Sequence, residues 1–317
     1  MKIVSSAPIR ADLRERLQDG YPQLSFCFHT NIHEAAADLR DADVLITYGE
    51  DLTPEMVKRA EHLKWIMVIS AGLDRLPFSA IKEKGIMVTN ARGIHKIPMA
   101  EYVFAAILQW AKKTKKWNEQ QANHHWDKYG VKMEEITGQP IAIIGAGAIG
   151  GEIARLAKAF RMPTYGVNRS GRPAEYIDHM FKTDRMNEAL KEAKYVVAVL
   201  PQTKETVALI GRDQFRAMRK DALFINIGRG KTVDQAALLE ALKTGEIAGA
   251  VLDVFEEEPL DPGHPFWDME NVTVTPHFSS ITSEYQPRAL AIFEQNLDAY
   301  LAGRRDLINL IDLDRGY

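Results

Sequence analysis

Residues Ile141–Gly151, which read Ile-Ala-Ile-Ile-Gly-Ala-Gly-Ala-Ile-Gly-Gly, decide the fold of this chain. A short apolar strand runs into a Gly-x-Gly-x-x-Gly turn, and the residues that follow have the apolar spacing of an amphipathic helix. In such a turn Gly145 permits the tight bend, Gly147 lets the backbone approach a pyrophosphate, and Gly150 lets helix and strand pack closely. The stretch therefore predicts a dinucleotide site with the pyrophosphate on the helix N-terminus, rather than a glycine-rich turn without a ligand.

The next predicted strand of this unit ends at Val167–Ser170, where the type of dinucleotide is selected. An enzyme that uses NAD normally has an Asp or Glu at this point, which accepts a hydrogen bond from the ribose 2′-hydroxyl. This chain has the uncharged Asn168, and Arg169 and Ser170 offer a cation and a donor to a 2′-phosphate. We therefore predict a preference for NADP, with Arg172 as a further contact. A surface Arg169 beside a permissive NAD site is the alternative.

Short β-branched and apolar runs alternate with helical segments along the chain, which predicts an α/β fold whose parallel strands are buried on both faces. The predicted strands are Lys2–Ser5, Leu24–Phe28, Val44–Thr47, Trp65–Ser70, Ile86–Thr89, Ile141–Ile144, Thr164–Val167, Tyr195–Leu200, Ala222–Ile227, Ala248–Val254 and Val272–Thr275. A helix that begins near Pro98 separates the two groups of strands and marks the boundary between two domains. Its predicted apolar face is Met99, Val103, Ala106, Ile107, Trp110 and Thr114. A last helix precedes an apolar tail at Leu307–Ile311, and the helix has four apolar residues on one side: Leu290, Phe293, Leu297 and Leu301.

Polar side chains follow each of the last three predicted strands. Arg229 follows the first of them, Asp253 lies at the end of the second with Glu258 after it, and His277 follows the third. Because the carboxyl ends of parallel strands share one edge of a sheet, we expect these side chains to meet. Reduction of a 2-keto acid by hydride transfer needs a cation for the carboxylate and carbonyl, and a proton donor for the emerging alkoxide. An arginine, and a histidine held in its protonated form by a carboxylate, meet both needs, so Arg229, Glu258 and His277 are the predicted catalytic residues.

The composition is that of a globular protein without a strong charge bias. The chain has 317 residues, of which 46% are hydrophobic and 26% charged, and its net charge of −3 disfavours nucleic-acid binding. The single cysteine, Cys27, excludes an internal disulfide and is expected to be a buried apolar group. We expect a cytoplasmic protein without membrane contact, because the sequence has no signal peptide and no apolar run that approaches roughly 20 residues. No metal site is predicted, since no spacing such as His-Glu-x-x-His occurs.

The sequence resembles the D-isomer-specific 2-hydroxyacid dehydrogenase family over nearly its whole length. The matching segments are Gly145–Gly150, Leu200–Thr206, Asn226–Gly230, Leu252–Pro259 and Thr275–His277. In this family the arginine binds the substrate carboxylate and polarises the carbonyl, and the last glutamate pairs with the histidine, which is the general acid in reduction. The resemblance assigns these roles to Arg229, Glu258 and His277.

The resemblance also implies how the rest of the site is formed. Asp253 is expected to contact the nicotinamide carboxamide, and Ile69–Asp74 is similar to the family's substrate loop, although a plain strand-to-helix turn is the local alternative. The predicted cofactor residues are Gly145, Gly147, Ala148, Ile149, Gly150, Asn168, Arg169, Ser170, Pro201, Thr206 and Asp253. The predicted substrate residues are Ser70, Ala71 and Gly72.

The family's organisation implies two doubly wound parallel-sheet domains. A Rossmann dinucleotide-binding domain at 98–280 is expected to be inserted into a flavodoxin-like substrate domain formed by 1–97 and 281–317. The helix near Pro98 commonly builds the dimer interface in this family, so a homodimer is expected. Phe278–Ser280 departs from the smaller, glycine-containing run that is usual after the histidine, and we expect this change to reshape the nicotinamide pocket.

The leading prediction is an NADP-dependent oxidoreductase that reduces a small 2-keto acid such as glyoxylate or hydroxypyruvate. Its D-stereochemistry rests on the resemblance alone. An NAD-dependent phosphoglycerate-type dehydrogenase and a reductase of bulkier branched keto acids are alternatives within the same fold. A dinucleotide-sensing binding protein is the alternative from another class, and the complete set of Arg229, Glu258 and His277 disfavours it.

Overall fold

The computed structural model describes residues 1–70, 72–73 and 75–313. The chain divides into two compact units. Unit 1 combines Met1–His95 with Thr282–Tyr317, and unit 2 is Lys96–Ile281, which is inserted into the sequence of unit 1. The functions that the sequence predicts for the two domains stay predictions.

The strands are short and nearly all apolar. In chain order they are β1 Lys2–Ser5, β2 Ser25–Phe28, β3 Val44–Thr47, β4 Trp65–Val68, β5 Met87–Asn90, β6 Ile141–Ile144, β7 Thr164–Asn168, β8 His179–Lys182, β9 Tyr195–Ala198, β10 Leu223–Asn226, β11 Gly249–Leu252 and β12 Val272–Val274. In the described part of the chain they form two wholly parallel sheets, one in each unit. The predicted fold class is confirmed.

Helices connect the strands and cover both faces of each sheet. They are α1 Ala11–Gly20, α2 Ile32–Ala35, α3 Pro54–Arg59, α4 Phe78–Glu83, α5 Lys96–Ala111, α6 Thr114–Ala122, α7 Ala148–Ala159, α8 Met186–Glu192, α9 Arg212–Ala217, α10 Gln235–Thr244 and α11 Tyr285–Leu301. Short 3₁₀ turns occupy Asp38–Asp41, Thr183–Arg185, Gly230–Thr232 and Pro265–Trp267. No helix in the described ranges is both long and apolar enough to cross a membrane.

Unit 1 has the strand order β2-β1-β3-β4-β5, which is the flavodoxin-like arrangement. Successive residues of a strand face opposite sides of the sheet, so Trp65 and Ile66 belong to two separate cores. Trp65 stacks on Phe293 of α11 with ring centroids 5.3 Å apart, and both side chains are fully buried. The buried Phe293 contributes about 1.5–3 kcal/mol, so α11 is anchored to this sheet although it is remote in sequence.

The apolar tail after α11 lies against the last strand of unit 1. The Ile311 N–H donates to the Val88 carbonyl at 2.9 Å, and Leu307 and Ile311 are buried. Ile308 and Leu310 are exposed, as is Leu301, which the sequence placed on the apolar side of the last helix. Leu301 is the last residue of α11, and Ala299 and Tyr300 in the same turn still pack against the core of this unit.

Unit 2 has the strand order β12-β11-β10-β9-β6-β7-β8. Its first six strands in sequence follow the Rossmann order, with β6 and β9 adjacent at the centre, and β12 extends the sheet as a seventh strand. One core lies between the sheet and α8, α9 and α10, and the other lies between the sheet and α5 and α7. Of the strands in this sheet, β8 was not predicted, since it is a partly exposed edge strand without an apolar run.

The long helix predicted from Pro98 is interrupted in the structure. Lys113 adopts a left-handed conformation with φ of 55° between α5 and α6, so Thr114 starts a second helix instead of continuing the first apolar face. The Lys112 ammonium donates to the Glu134 carbonyl at 2.8 Å, and the Lys113 ammonium lies 4.6 Å from the centre of the Trp110 ring. These contacts stabilise the interruption between α5 and α6, which the helical periodicity of the sequence does not reveal.

Candidate active site

The glycine-rich turn between β6 and α7 is tightly folded against the sheet. Gly145 has φ of +108°, and a Cβ atom added there would lie 2.6 Å from the Val199 carbonyl oxygen. A Cβ atom on Gly150 would collide with the Gly145 carbonyl oxygen, so strand and helix approach as closely as the motif requires. Gly145 and Gly150 are therefore needed for the turn itself.

Gly147 differs from these two glycines because the space beside it is open. A Cβ atom added to Gly147 would meet nothing within 4 Å among the described residues. Gly147 is also the N-cap of α7, and no described side chain caps that helix. Helix N-termini carry unsatisfied N–H groups and a partial positive charge. Ala148 and Ile149 are the first residues of α7, and this helix N-terminus fits the pyrophosphate of a dinucleotide.

The loop after β7 is held together by two of the predicted cofactor residues. The Asn168 side-chain oxygen accepts from the Gly171 N–H at 2.6 Å and the Ser170 N–H at 3.1 Å, and its amide group donates to the Arg172 carbonyl at 2.9 Å. The Ser170 hydroxyl also accepts from the Arg172 N–H at 3.3 Å. Asn168 and Ser170 therefore shape the loop, while the side chains of Arg169 and Arg172 are exposed.

The loop after β9 contains two further predicted cofactor residues, Pro201 and Thr206. The Thr206 hydroxyl donates to the Pro201 carbonyl at 2.7 Å and accepts from the Thr203 N–H at 2.7 Å, which closes the turn. The pKa of the neighbouring Glu205 carboxyl is lowered, first by a hydrogen bond from the Thr203 side chain and to a lesser degree by the positive charge of Arg169. Arg169 is thus within electrostatic reach of this loop.

Backbone contacts join the three segments that carry the predicted catalytic residues. The strands β10, β11 and β12 are adjacent and parallel, so their carboxyl ends share one edge. Gly230, next to Arg229, abuts the backbone of Phe255 so closely that a Cβ atom there would overlap it. The His277 N–H donates to the Asp253 carbonyl at 2.9 Å. The structure therefore brings the segments of Arg229, Glu258 and His277 together.

His277 and Glu258 form a hydrogen-bonded pair. Nδ1 of His277 lies 2.8 Å from Oε2 of Glu258, and the other carboxylate oxygen accepts from the Phe255 N–H at 3.0 Å. The side chains are 46% and 37% exposed, so the pair is accessible to a ligand. Because the carboxylate occupies Nδ1, Nε2 is the nitrogen that can exchange a proton with a substrate.

Arg229 is positioned through its backbone. Its carbonyl accepts from the Thr232 hydroxyl at 2.7 Å, and its guanidinium donates to the Gly228 carbonyl at 2.9 Å. The Asn226 side chain accepts from the Gly228 N–H at 3.1 Å, which fixes the turn that leads out of β10. These contacts use one nitrogen of the guanidinium, and its fork matches the two oxygens of a carboxylate.

Asp253 is completely buried, and both of its carboxylate oxygens accept hydrogen bonds from the His277 segment. Oδ1 accepts from the Thr275 hydroxyl at 2.6 Å and the Phe278 N–H at 3.1 Å, and Oδ2 accepts from the Ser279 N–H at 3.0 Å. Sequence reasoning gave no role to Thr275 or to Tyr102, whose hydroxyl lies 2.6 Å from that of Thr275. The only signal was that Thr275 directly precedes Pro276 and His277.

The predicted substrate loop lies in unit 1, after β4. The Ser70 hydroxyl contacts the carbonyls of Tyr48 at 3.3 Å and of Gly72 at 3.1 Å, so it shapes the loop. Ala71 and Asp74 lie outside the described residues. No group of three or more potential metal ligands occurs among the residues that the structure covers.

Comparison with known families and curated proteins agrees with the motifs. Residues 104–279 match the NAD binding domain of the D-isomer specific 2-hydroxyacid dehydrogenases. A glyoxylate reductase of Thermofilum pendens is 33% identical over 303 residues, which cover 90% of this chain and 89% of that protein. A D-3-phosphoglycerate dehydrogenase of Methanocaldococcus jannaschii is 33% identical over 306 residues, which cover 96% of this chain but only 58% of that longer protein.

Solved structures share the fold over nearly the full length. A D-isomer specific 2-hydroxyacid dehydrogenase family protein from Aeromonas salmonicida has a TM-score of 0.88 and 31% identity, with 99% of each chain covered. An NADPH-dependent glyoxylate/hydroxypyruvate reductase from Sinorhizobium meliloti, solved with NADP and sulfate, has a TM-score of 0.81 and 25% identity. That alignment covers 100% of this chain and 99% of the other.

Proposed function

The chain belongs to the D-isomer specific 2-hydroxyacid dehydrogenase family, a family of NAD(P)-dependent enzymes, and from this premise we propose that it reduces a small 2-keto acid with NADPH. Glyoxylate and hydroxypyruvate are the proposed substrates. The observation that carries the proposal is the 2.8 Å pair of His277 and Glu258 on the same sheet edge as Arg229.

The proposed chemistry divides into binding, hydride transfer and protonation. When bound, the reduced nicotinamide would supply the hydride that the carbonyl carbon accepts. The Arg229 guanidinium binds the substrate carboxylate and polarises the carbonyl. Nε2 of His277 donates a proton to the emerging alkoxide, and Glu258 stabilises the protonated imidazole and fixes its orientation. One hydride and one proton are consumed for each 2-hydroxy acid formed, and the family predicts the D-isomer where the product is chiral.

NADP is the proposed cofactor because the residues directly after β7, Arg169 to Arg172, include two cations and no carboxylate. Arg169 and Arg172 are exposed there, whereas the Asn168 amide is engaged within the loop. A 2′-phosphate gains charge-assisted hydrogen bonds from arginines. The NADP-bound relative supports this assignment.

A phosphoglycerate-type dehydrogenase that uses NAD is the second candidate. It is favoured by the similarity to the D-3-phosphoglycerate dehydrogenase, of whose length this chain spans 58%. The exposed arginines after β7 argue against NAD, and they are the reason that we rank this candidate second. A dinucleotide-sensing binding protein is disfavoured by the paired His277 and Glu258.

A panel assay separates these candidates. Oxidation of NADPH and of NADH is followed with glyoxylate, hydroxypyruvate, a branched 2-keto acid and 3-phosphohydroxypyruvate. We expect NADPH-dependent turnover that is fastest with glyoxylate or hydroxypyruvate. Fastest turnover of 3-phosphohydroxypyruvate with NADH would establish the second candidate, and binding of NADPH without turnover of any acid would favour the binding protein.

We also propose a homodimer formed through the surface around α6. Large apolar side chains are exposed on α6 and the segment after it, including Trp126 at 96% and Tyr129 at 84% exposure. They adjoin a surface cavity of about 630 Å³ between Trp117 and Lys128. Exposed apolar patches of this kind mark interaction surfaces. Light scattering after gel filtration should give twice the chain mass, and Trp126→Glu should shift it to the monomer mass.

The cytoplasmic location stays a prediction.

A further inference from the structure

Tyr102 contacts the histidine-bearing segment on both sides of His277. Its hydroxyl lies 2.6 Å from the Thr275 hydroxyl, which is two residues before the histidine. Its ring packs edge-on against that of Phe278, one residue after the histidine, with centroids 6.2 Å apart and planes at 82°. Tyr102 belongs to α5, which is packed into the core of unit 2, so it is a fixed support for this segment.

The hydrogen bonds that begin at Tyr102 have one consistent direction. The Thr275 hydroxyl has a single hydrogen, which it donates to Oδ1 of Asp253 at 2.6 Å. Tyr102 must then donate to Thr275. Burial raises the pKa of Tyr102 to about 12, which keeps this donor protonated. The completely buried Asp253 carboxylate in turn accepts the N–H groups of Phe278 and Ser279.

The backbone of His277 needs this support. Its φ of 51° lies in the left-handed region, which residues other than glycine occupy only when the surroundings impose it. Its N–H is held by the Asp253 carbonyl at 2.9 Å, and the next two N–H groups are held by the Asp253 side chain. Asp253 thus fixes three successive residues, and Thr275 and Tyr102 fix Asp253.

We propose that Tyr102 and Thr275 are positioning residues, which act through Asp253 to hold His277 in the orientation that catalysis requires. The proposal rests on the proposed function, in which His277 is the proton donor. Neither hydroxyl is required to touch substrate or dinucleotide. Loss of either should therefore lower turnover much more than it lowers the affinity for NADPH.

The test compares two pairs of matched variants. Tyr102→Phe keeps the ring and removes the hydroxyl, and its control is Tyr195→Phe. Tyr195 is buried in the same unit, and its hydroxyl has no hydrogen-bond partner among the described residues. Thr275→Val removes the second hydroxyl at nearly constant shape, whereas Thr275→Ser retains it. All four are measured for kcat with glyoxylate, for the NADPH dissociation constant and for Tm.

We expect Tyr102→Phe and Thr275→Val to lower kcat about 10- to 100-fold, because small misplacements of a reacting group have effects of this size. Tyr195→Phe and Thr275→Ser should stay near the wild-type kcat, and the NADPH dissociation constant should change less than about twofold. The proposal is overturned if Tyr102→Phe matches Tyr195→Phe, if Thr275→Ser is as slow as Thr275→Val, or if NADPH affinity falls as much as kcat.

Amide hydrogen exchange distinguishes failure of this inference from failure of the proposed function, because it needs no substrate. The Phe278 and Ser279 amides should exchange faster in Tyr102→Phe and Thr275→Val than in the wild type or in Tyr195→Phe. That pattern in a protein that reduces no 2-keto acid would refute the proposed function and support the hydrogen-bonded chain. Unchanged exchange in both variants would refute the proposed series of hydrogen bonds from Tyr102 through Thr275 to Asp253.

Discussion

The first strand-to-helix turns of the two units occupy the same place in similar folds and have different chemistry. In unit 1 the turn from β1 to α1 is closed by Gln286 of α11, which accepts from the Arg10 N–H at 3.0 Å and donates to the Pro8 carbonyl at 2.8 Å. Neither α1 nor α7 has a side-chain cap at its N-terminus, but the turn from β6 to α7 in unit 2 has no bridging side chain of this kind among the described residues and has open space beside Gly147. One turn is satisfied by its own unit, and the other is shaped to accept a ligand.

The second strand of each unit, β2 in unit 1 and β7 in unit 2, also leads to a residue that is satisfied within unit 1 but exposed in unit 2. In unit 1, β2 leads to His29, whose Nε2 lies 2.9 Å from the Asp38 carboxylate. In unit 2, β7 leads to Arg169, which is exposed. Parallel sheets of this kind offer a ligand site at their carboxyl edge, but only the residues at the strand ends decide whether it is used. The comparison predicts that dinucleotide binding belongs to unit 2 and is insensitive to the corresponding turns of unit 1.

Gly145→Ala should have the largest effect. Alanine is strained at φ of +108°, and its Cβ would lie 2.6 Å from the Val199 carbonyl oxygen. We expect a loss of about 2–4 kcal/mol in the free energy of unfolding, together with loss of NADPH binding. The control in unit 1 is Gly85→Ala, which has positive φ but nothing within 4 Å among the described residues. Urea unfolding measures the stability of the two variants, and fluorescence titration measures their affinity for NADPH. Wild-type NADPH affinity in Gly145→Ala would contradict the assignment of the dinucleotide to this turn.

Gly147→Ala isolates binding from folding. The added Cβ meets no described atom within 4 Å, so stability should change by no more than about 1 kcal/mol. The Cβ would instead obstruct the pyrophosphate, and NADPH affinity should fall about 100-fold or more, which corresponds to about 2.7 kcal/mol. Gly151→Ala, also in open space but within α7, is the matched control and should bind NADPH normally. Equal affinities for the two variants would place the dinucleotide elsewhere.

Arg169→Ala should change the preference between the two dinucleotides. Loss of a charge-assisted contact to the 2′-phosphate is expected to weaken NADPH binding about tenfold, or about 1.4 kcal/mol, and to leave NADH binding unchanged. The matched arginine is Arg161, which is exposed at the other end of α7, and Arg161→Ala should alter neither affinity. A parallel loss of NADPH and NADH binding in Arg169→Ala would contradict the assignment of the phosphate site.

Gln286→Ala should have the smallest effect, and it should be confined to stability. The variant loses the two exposed hydrogen bonds that close the turn of unit 1 and a longer one to the Tyr48 hydroxyl, so the free energy of unfolding should fall by about 1 kcal/mol. NADPH affinity should equal that of the wild type. If Gln286→Ala weakened NADPH binding as strongly as Gly147→Ala, the contrast between the two turns would be invalid.

The sequence was sufficient to predict the strands whose two faces are buried. The bounds predicted for β1, β3 and β6 match the structure, because such strands are continuous apolar runs that end at polar or glycine residues. The edge strand β8 lacks this signal, since only some of its side chains are covered. The break at Lys113 was also not predictable, because it depends on contacts with Glu134 and Trp110 that are not periodic in the sequence.

For the candidate site, the sequence identified residue types at strand ends but not how they are connected. It grouped Arg229, Glu258 and His277, and their catalytic roles stay predictions. It did not show that Asn168 is engaged within its own loop, or that Asp253 is buried beneath the His277 segment. Hydrogen bonds between residues remote in sequence depend on tertiary packing, which is why Tyr102 had no sequence signal.

The most direct test of the central claim is a single turnover with His277→Gln. The complex of enzyme and NADPH is mixed with glyoxylate, and the absorbance of the reduced nicotinamide is followed in a stopped-flow instrument. If His277 is the proton donor, the variant binds NADPH like the wild type but transfers hydride about 10²–10⁴-fold more slowly. Hydride transfer at the wild-type rate in His277→Gln would contradict the account.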